Sequence, residues 1–317
     1  MDCTYLVLDV DTGVDDALAL LLAFRSPAAE VLAIGTVAGN IGAAQAATNT
    51  LKVLDALGVR VPVAVGLDEA LGQTLPLARH VHGMDGMGDA GIPAPSGRPS
   101  GEHAVDQLIR LARERPGQIT LFACGPLTNV ATALLREPTL PQLLKELVIM
   151  GGAADAIGNV TAVAEANIWH DAEAARLVFE ADWPLTMVGL DVTMQTILRK
   201  PHLARLEASE APLARFVVAI LRFYWDHYSA VLEDPGCAMH DPLALAIALD
   251  RTLVTHMAQL DVRVEAESPL TLGMTVADRR SLRVPGLPPP RHPVSVPLAV
   301  DSDRFLEHLV TTILAER

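Results

Sequence analysis

Residues 4–24, TYLVLDVDTGVDDALALLLAF, place a short acidic turn between two apolar runs. The first run predicts a buried strand, and the second, whose apolar residues recur with a helical period, predicts a helix. The turn carries four carboxylates, and Gly13 among them indicates a tight bend that brings them to one point. They belong to Asp9, Asp11, Asp15 and Asp16. Carboxylates this close together repel one another and resist ionisation, so the turn calls for a cation.

Similar apolar runs recur along the chain, with helical patterns between them. They occupy residues 4–10, 31–37, 61–65, 119–124, 147–150 and 184–190. Strands that are apolar almost throughout and alternate with helices are typical of a parallel sheet covered on both faces. The sequence therefore predicts an α/β fold with an open, mostly parallel sheet and helices on both faces. Residues 260–284 predict a hairpin, which is followed by a closing strand and a C-terminal helix from about Asp301.

The chain has no internal repeat and no shift in composition that would divide it, so a single domain over residues 1–317 is predicted. Two stretches rich in glycine and proline interrupt the pattern. Residues 83–102 hold nine Gly or Pro, too many for a helix or an interior strand. A loop of this length inside a compact domain is usually functional, which predicts a lid. Residues 284–293 predict a second excursion, ahead of the closing strand.

The composition excludes several classes of protein. The formal net charge is −14, only three residues are lysine, and no basic run occurs, so binding to nucleic acid or to an anionic membrane is not expected. The N-terminal sequence has neither a positively charged leader nor a long apolar span, which predicts a cytoplasmic protein. Cys3, Cys124 and Cys237 lack the spacing of a disulfide framework or a zinc site, so buried, reduced thiols are predicted.

Polar residues follow four of the predicted strands. Ligands of open parallel sheets bind beyond the carboxyl ends of the strands. The acidic turn follows the first strand, Asn40 follows the second, and Cys124 and Met150 end two others, so all four groups are predicted to face one crevice. Simpler explanations exist for each, such as a turn residue for Asn40 and a helix cap for Asp15 or Asp16. Their coincidence favours a site.

A hard divalent cation would neutralise the acidic turn. Calcium takes about six to eight oxygen ligands from carboxylates, backbone carbonyls and water, whereas thiolate and imidazole sites suit zinc. Asp11, Asp15 and Asp16 offer carboxylates, and the carbonyl that ends the fourth predicted strand offers another oxygen. Asp241, in MHDPLALAIALD, is a candidate from a distant segment. The alternative is that Asp241 caps a helix that has Pro242 as its first residue.

Two histidines stand near these acids in the sequence. His240 directly precedes Asp241, and His82 lies in HVHGMDG at the entrance to the glycine-rich loop. Because the ordinary pKa of histidine is close to neutrality, either imidazole is a candidate donor of a proton to a departing group.

Several motifs of the chain resemble those of the inosine-uridine preferring nucleoside hydrolases, in order and in spacing. They are DVDTGVDDALAL, GN (39–40), VHGMDGMG, CGPLTNVA, VIMGGAADAIGNVTAVAEANIWHDAEAA, HDP (240–242) and LTLGMTVADRR. The resemblance runs from the first strand to about residue 280. It implies an open, Rossmann-like α/β fold, a bound calcium ion, N-ribohydrolase activity on nucleosides and a homo-oligomer, either a dimer or a tetramer.

The same resemblance implies roles for individual residues. Calcium would be held by Asp11, Asp15, Asp16, the Cys124 carbonyl and Asp241. Asp11 would also be the base that activates the calcium-bound water. The ribose pocket would be lined by Asn40, Met150, Asn159, Glu165 and Asn167. His82 and His240 would face the nucleobase and assist its departure, with Tyr224 and Tyr228 close to the base.

General chemistry agrees with these roles. Breaking an N-glycosidic bond passes through an oxocarbenium-like sugar, which excess carboxylate charge stabilises. Metal-bound water has a lowered pKa, so an aspartate is an adequate base, and no cofactor beyond calcium is expected. The chain departs from the family pattern at Cys124, where threonine is common, at Ala166, where an aromatic is common, and at Leu232, where some members have a polar residue. These departures leave the base preference open.

Three alternatives remain open at this level. LDVDTG mimics the nucleophile loop of haloacid-dehalogenase-type phosphatases, although Lys145 and Lys200 are poorly placed for that chemistry and no second acid pair follows. A non-catalytic binder of calcium or nucleosides could share the fold, because fold does not fix function. A hydrolase of a modified nucleoside is the third alternative, which Ala166 and Leu232 favour.

Overall fold

The computed structural model describes residues 3–72, 76–282, 284, 289–290 and 292–315. Its strands are β1 Thr4–Val10, β2 Ala29–Thr36, β3 Val63–Val65, β4 Ile119–Ala123, β5 Glu146–Met150, β6 Leu185–Val188, β7 Ile197–Arg199, β8 Gly236–Ala238, β9 Val254–Val264, β10 Thr275–Ala277 and β11 Pro293–Val300. Its helices are α1 Val14–Arg25, α2 Ala43–Leu57, α3 Arg79–His82, α4 Ala104–Glu114, α5 Thr128–Arg136, α6 Leu140–Leu143, α7 Ala166–His170, α8 Ala172–Glu180, α9 Leu190–Thr193, α10 Lys200–Glu207, α11 Pro212–Ser229, α12 His240–Leu249 and α13 Ser302–Leu314. Half of the predicted excursion at 284–293 lies outside the described residues.

Nine strands form one sheet in the order β10-β9-β11-β6-β5-β4-β1-β2-β3, and β7 pairs with β8 separately. Neighbours from β11 to β3 run parallel, whereas β9 is antiparallel to both β10 and β11. The predicted open, mostly parallel sheet is confirmed. The order β3-β2-β1-β4-β5-β6 is that of the doubly wound Rossmann fold. Because this order reverses between β1 and β4, a crevice opens beyond the carboxyl ends of these two strands.

Apolar residues cover both faces of the sheet, because successive side chains of a strand point to opposite faces. In β1, Leu6, Leu8 and Val10 belong to the core that includes α1, α2, α11 and α12. Val7 belongs to the second core, with α4, α5 and α8. Fully burying one such side chain stabilises the fold by about 1.5–3 kcal/mol. The near-continuous apolar strands in the sequence reflect this burial on both faces.

Helices α1 and α12 pack against each other in the interior. Ten of the twelve residues of α1 are buried, including Asp15 and Asp16 in its first turn. In α12, every residue except Leu249 is buried. Helices that are apolar on nearly all sides belong in the core of a protein. The two N-terminal turns therefore carry their acidic residues into the interior, below the crevice.

The connections follow the sequence pattern closely. Residues 83–102 contain no helix or strand, as predicted. The predicted hairpin is formed by β9 and β10, and α13 begins after Asp301, whose side chain caps it. The sheet thus takes strands from both ends of the chain. Within the described part of the chain, no helix is long and apolar enough to cross a membrane.

Candidate active site

A cavity of about 700 Å³ lies where the strand order reverses. Its volume falls within the range of about 300–1,000 Å³ that is usual for small-molecule sites. It is lined by all the residues that the sequence predicted for substrate: Asn40, Met150, Asn159, Glu165, Asn167 and Tyr228. Asp15, His82, Cys124, His240 and Asp241 line it as well. The structure therefore brings together residues from nearly the whole length of the chain.

Hydrogen bonds to the backbone assemble the acidic turn. Asp16 accepts hydrogen bonds from the backbone amides of Gly13 at 2.9 Å and of Asp11 at 3.2 Å. The bond from Gly13 is the helix-capping contact that was an alternative for Asp16. Asn40 donates its backbone amide to Oδ2 of Asp11 at 2.7 Å and its side-chain amide to Oδ2 of Asp16 at 3.2 Å. Asn40 therefore holds the two carboxylates side by side.

Two glycines make this close approach feasible. A Cβ atom at Gly39 would collide with the Asp11 carboxylate, and one at Gly13 would collide with the imidazole of His82. The φ angle of Gly13 is −94°, which any residue can adopt. Gly13 is therefore needed for the space it leaves, not for a left-handed backbone conformation.

Asp241 reaches the acidic turn from the other end of the chain. It is the second residue of α12, and Met239 occupies the cap position, so the alternative of Asp241 as a helix cap is wrong. Carboxylate oxygens of Asp16 and Asp241 and the sulfur of Cys124 all lie within 4.8 Å of one another. Because Asp16 and Asp241 occupy the first turns of two helices, both carboxylates gain from the positive ends of the helix dipoles.

The carboxylates of Asp11, Asp15, Asp16 and Asp241 form what we call the acid cluster. Each of these residues is at most 4% exposed. Among the described residues, the basic group nearest to them is the imidazole of His82, whose Nδ1 lies 3.9 Å from Oδ1 of Asp15. Burial raises the pKa of all four groups, and the charges of neighbouring carboxylates raise it further for Asp11, Asp15 and Asp241. For Asp15 the pKa rises to about 7 through burial and the charge of Asp16.

The acid cluster has the chemistry of a cation site. Oδ1 of Asp11 is buried and has no hydrogen-bond partner. Leaving a buried polar atom unpaired costs about 1–3 kcal/mol, and more when the group is charged. Four carboxylates and the nearby backbone carbonyl of Cys124 are the oxygen ligands that hard divalent cations prefer. The residues present therefore fit such an ion.

Asp9, the remaining acid of the turn, lies outside the acid cluster. It follows the alternation of β1 and faces the core that contains Val7, where its Oδ1 accepts a hydrogen bond from Nδ2 of Asn129 at 2.8 Å. Burial raises the pKa of Asp9 to about 7, against the hydrogen bond from Asn129, which lowers it. Asp9 was not predicted to bind the ion, and its position agrees with that.

Asn167 joins the ends of β4 and β5 at one wall of the cavity. Its Nδ2 donates to the backbone carbonyls of Cys124 at 3.0 Å and Met150 at 3.1 Å. These bonds bring the carbonyl of Cys124 and the side chain of Asn167 together beside the acid cluster.

Glu165 and Asn159 organise the neighbouring wall. Glu165 caps α7, because it accepts hydrogen bonds from the amides of Asn167 and Ile168, and it also accepts one from Gly152 at 3.0 Å. Asn159 lies further out and is exposed, and its Oδ1 accepts from the amide of Ala166 at 3.0 Å. Glu165 is therefore fixed by the backbone, while the amide group of Asn159 faces the open part of the cavity.

A chain of hydrogen bonds crosses the opposite wall. The hydroxyl of Tyr228 lies 2.7 Å from Nε2 of His240, and Oγ1 of Thr193 lies 2.8 Å from its Nδ1. Burial lowers the pKa of His240 to about 4, so its imidazole is neutral at pH 7. The sequence argument assumed a pKa near neutrality for His240, and that assumption is wrong. The pKa is lowered because desolvation disfavours the charged form of the imidazole.

His82 is also neutral. Its Nδ1 accepts a hydrogen bond from the backbone amide of Val14 at 3.1 Å, which leaves its other ring nitrogen as the donor. Burial, together with the charge of neighbouring histidines, lowers the pKa of His82 to about 3. The ring centroids of His82 and Tyr224 are 5.4 Å apart. Tyr224 is buried and donates to the carbonyl of Ala238 at 3.0 Å, yet it also lines the cavity.

Apolar side chains surround the outer part of the cavity. Ile157 and Val231 are 82% and 67% exposed, and both belong to the cavity lining, as does Leu232. The predicted lid, residues 83–102, supplies none of the lining, whereas residues 76–82 just before it supply several. The outer wall therefore comes from the segments at 76–82, 156–160 and 227–232.

Sequence reasoning missed several residues near the cavity. Asp191 is buried and accepts hydrogen bonds from the backbone amides of Ala154, Asp155 and Ala156, at 2.8, 2.7 and 3.0 Å. It follows the end of β6, so the rule for strand ends could have found it. Thr193 had no such signal. His80 and His227, whose ring centroids lie 5.8 Å apart, also line the cavity.

The prediction of buried thiols is right for two of the three cysteines. Cys124 and Cys237 are buried, but Cys3 is exposed because it precedes the first residue of β1. Among the described residues all three are free.

Residues 6–307 match the family model described as inosine-uridine preferring nucleoside hydrolase. The chain belongs to this family. It is therefore a nucleoside hydrolase, an enzyme that splits ribonucleosides into base and ribose. Membership overturns the phosphatase alternative, in agreement with the position of Lys145 and Lys200, which do not line the cavity. It also replaces the alternative of a non-catalytic binder.

Individual relatives agree with this assignment over the full length. The chain is 40% identical to an inosine-uridine preferring nucleoside hydrolase of Crithidia fasciculata, over 95% of this chain and 94% of that protein. A solved plant nucleoside hydrolase, PpNRh1, matches with a TM-score of 0.92 and 32% identity, over 99% of both chains. A purine-preferring ribonucleoside hydrolase from Gardnerella vaginalis matches with a TM-score of 0.89 and 35% identity, over 98% of both chains.

Proposed function

We propose that this nucleoside hydrolase depends on Ca²⁺ and acts on ribonucleosides of the inosine and uridine type. The observation that carries the proposal is the buried, unpartnered Oδ1 of Asp11 within the acid cluster, two of whose members, Asp15 and Asp241, line a cavity of nucleoside size. The relatives named for activity on inosine and uridine, or on purine ribonucleosides, support the substrate class.

The ion would be held by Asp11, Asp15, Asp16, the backbone carbonyl of Cys124 and Asp241. When bound, it supplies positive charge that orients the ribose hydroxyls and lowers the pKa of water. Asp11 would also act as the general base toward the attacking water, and its Oδ2 accepts a hydrogen bond from the backbone amide of Asn40. The hydrogen bond from Asn40 fixes the orientation of the carboxylate.

Ribose would lie between the acid cluster and the wall that contains Asn40, Asn159, Glu165 and Asn167, near Met150. Amide and carboxylate groups can pair with the sugar hydroxyls, and Glu165 is held by three backbone amides. As the glycosidic bond lengthens, positive charge develops on the sugar ring. Four carboxylates outnumber the two charges of Ca²⁺, so the site keeps net negative charge that stabilises this cation.

The leaving base would meet Tyr228, His240 and His82. Both histidines are neutral, so each donates through an imidazole N–H or passes a proton along the bonds it makes. Tyr228 and His240 both line the cavity and are hydrogen-bonded to each other, and we assign to the Tyr228 hydroxyl the transfer of the proton to the base. His240 would return a proton to Tyr228 and regain one from solvent through the cavity that it also lines, while Thr193 holds its other ring nitrogen.

A modified nucleoside is a second candidate substrate, and the apolar outer wall favours it. Ile157, Val231 and Leu232 offer contact area to an apolar substituent, and Ala166 leaves room on the ribose side. A substituted nucleobase would bury these side chains, which stabilises binding.

We also propose that the protein is cytoplasmic and that it forms a dimer or tetramer. Light scattering would establish the oligomeric state.

Ribose release from inosine and from uridine, with and without a chelator, tests the proposed function. We expect turnover that is lost on chelation and restored by Ca²⁺, and the ratio of the two rates gives the base preference. A rate that is insensitive to chelation would overturn the proposed role of the ion. Turnover of neither nucleoside by the Ca²⁺-bound protein would direct the search to base-modified nucleosides.

A further inference from the structure

The thiol of Cys124 lies inside the acid cluster. The side chain is 1% exposed, and its sulfur is 3.5 Å from Oδ1 of Asp16. With oxygens of Asp16 and Asp241 it forms a group of three potential ligand atoms, all within 4.8 Å of one another. Cation sites made only of oxygen suit hard ions, whereas a sulfur ligand adds affinity for softer ones. This site therefore differs from a pure carboxylate cage.

A second observation points to a ligand at the same place. Oδ1 of Asp11 is buried and unpartnered, and the backbone amide of Asp11 donates a hydrogen bond to Oδ1 of Asp16, a residue of this group, at 3.2 Å. The backbone carbonyl of Cys124 accepts one hydrogen bond, from Asn167 at 3.0 Å, and keeps a second lone pair. Cys124 therefore offers two donor atoms here, its carbonyl oxygen and its sulfur, which makes one weak contact with Asp16.

We propose that the sulfur of Cys124 acts as a ligand together with the carboxylates of Asp16 and Asp241, so that the site also binds thiophilic divalent cations such as Zn²⁺, Co²⁺ and Cd²⁺. This inference rests on the proposed cation site and adds a soft donor to it. On coordination the thiol releases its proton to water, and the cysteine is neither oxidised nor reduced. Binding of such an ion competes with Ca²⁺, because both use Asp16 and Asp241.

A purely structural role for the thiol predicts something different. A cysteine that only donates a weak hydrogen bond to Asp16 would be replaceable by serine, and metal selectivity would not change. The other thiols provide controls, because Cys3 is exposed and Cys237 lies in the apolar core, away from the group of three ligand atoms. A Cys3→Ser protein removes the accessible thiol that could bind metal adventitiously.

Co²⁺ absorption spectroscopy tests the proposal, because a sulfur–cobalt bond gives a charge-transfer band in the near ultraviolet. The Cys3→Ser protein, stripped with a chelator, is titrated with Co²⁺. We expect a band that saturates at one ion per chain and disappears when Ca²⁺ is added. With Cys124→Ser in the same background, the band is absent, and the ratio of Zn²⁺ to Ca²⁺ affinity measured by calorimetry falls about tenfold or more.

Binding of Co²⁺ without a charge-transfer band in the Cys3→Ser protein would overturn the proposal, and so would a band that persists in Cys124→Ser. If the Cys124→Ser protein does not fold, Cys124→Thr is used in its place. Displacement of the band by Ca²⁺ is measured on the Cys3→Ser protein, so it tests the proposal without any substitution at Cys124. Failure of the proposed function is distinguishable, because then neither Ca²⁺ nor Co²⁺ binds to the folded protein.

Discussion

The hydroxyl of Tyr228 lies 2.7 Å from Nε2 of His240. The two residues come from different helices, α11 and α12, and Thr193 of α9 binds the other ring nitrogen of His240. Three elements thus build one chain of exchangeable protons that ends at the cavity. Since the pKa of His240 is lowered to about 4, this chain passes a proton along without a stored imidazolium at neutral pH.

Tyr228→Phe tests the end of that chain. Removing the hydroxyl takes away the group nearest the departing base, so we expect kcat for inosine to fall about 100-fold. Hydrolysis of 4-nitrophenyl riboside, whose leaving group departs without a proton, should fall by less than about tenfold. Steady-state kinetics on both substrates measure this. Equal losses on the two substrates would mean that Tyr228 has a structural role.

His240→Ala tests the step behind Tyr228. We expect it to harm purine nucleosides more than activated aryl ribosides, because only the former need a proton on the leaving group. Thr193→Val, which removes the partner of Nδ1 but keeps the imidazole, should show the same selectivity with a smaller loss. If His240→Ala reduced both substrate types equally, His240 would have no part in protonating the base.

Asp11→Asn separates catalysis from ion binding. The amide keeps one oxygen for the ion but cannot take up a proton, so we expect kcat to fall about 1,000-fold or more. Ca²⁺ affinity, measured by calorimetry, should be largely retained. Asp9→Asn is the matched control, because Asp9 is buried two residues earlier, near the end of β1, but contacts Asn129 rather than the acid cluster. Comparable loss of turnover in both variants would contradict the role of Asp11.

Asp191→Asn tests a positioning residue. The Asp191 carboxylate accepts three backbone amides from residues 154–156, immediately before the cavity-lining residues Ile157 and Asn159. An asparagine leaves at least one amide unpaired, which costs about 1–3 kcal/mol in unfolding free energy. We expect KM for nucleosides to rise more than kcat falls.

Asp250→Asn is the control for Asp191→Asn. Asp250 also accepts a backbone amide, that of Thr252, but it lies outside the cavity lining. Urea unfolding reports the stability of each variant. A loss of stability with unchanged KM in Asp191→Asn would show that the loop does not position substrate.

The thermal stability of the protein should depend on pH, and bound Ca²⁺ should oppose this dependence. The pKa of Asp15 and of Asp9 rises to about 7 through burial, and the pKa of Asp11 and Asp241 also rises. The folded protein therefore holds protons that the unfolded chain, with its ordinary aspartate pKa of 3.8, has released. By linkage, the Tm of the chelated protein falls as pH rises from about 6.5 to about 8.5.

This range avoids the opposite contribution of the buried histidines, whose lowered pKa values make stability rise with pH below about 6.5. Added Ca²⁺ favours the charged acid cluster, so its gain in Tm should grow over the same range. Calorimetric scans measure both trends. A gain from Ca²⁺ that is independent of pH would contradict the assignment of the acid cluster as its site.

The local features of this protein could be read from its sequence. Apolar runs predicted β1 to β6 to within about two residues, because a strand buried on both faces needs apolar side chains throughout, whereas the short strands β7 and β8 were missed. Asn40, Cys124 and Met150 were found for the same reason, since they follow strand ends that must meet at one edge of a parallel sheet. Asp241 was found from its motif, although its capping alternative was resolved only by the boundary of α12.

Only the tertiary structure decided which side chains touch and how their charges behave. The contact of Tyr228 with His240 and the three bonds of Asp191 join different elements of the fold, and no local pattern encodes them. The pKa shifts of His82 and His240 follow from complete burial, which depends on every element around the cavity. Local periodicity therefore determined the scaffold and most site residues, whereas long-range contacts and desolvation determined the proton pathway.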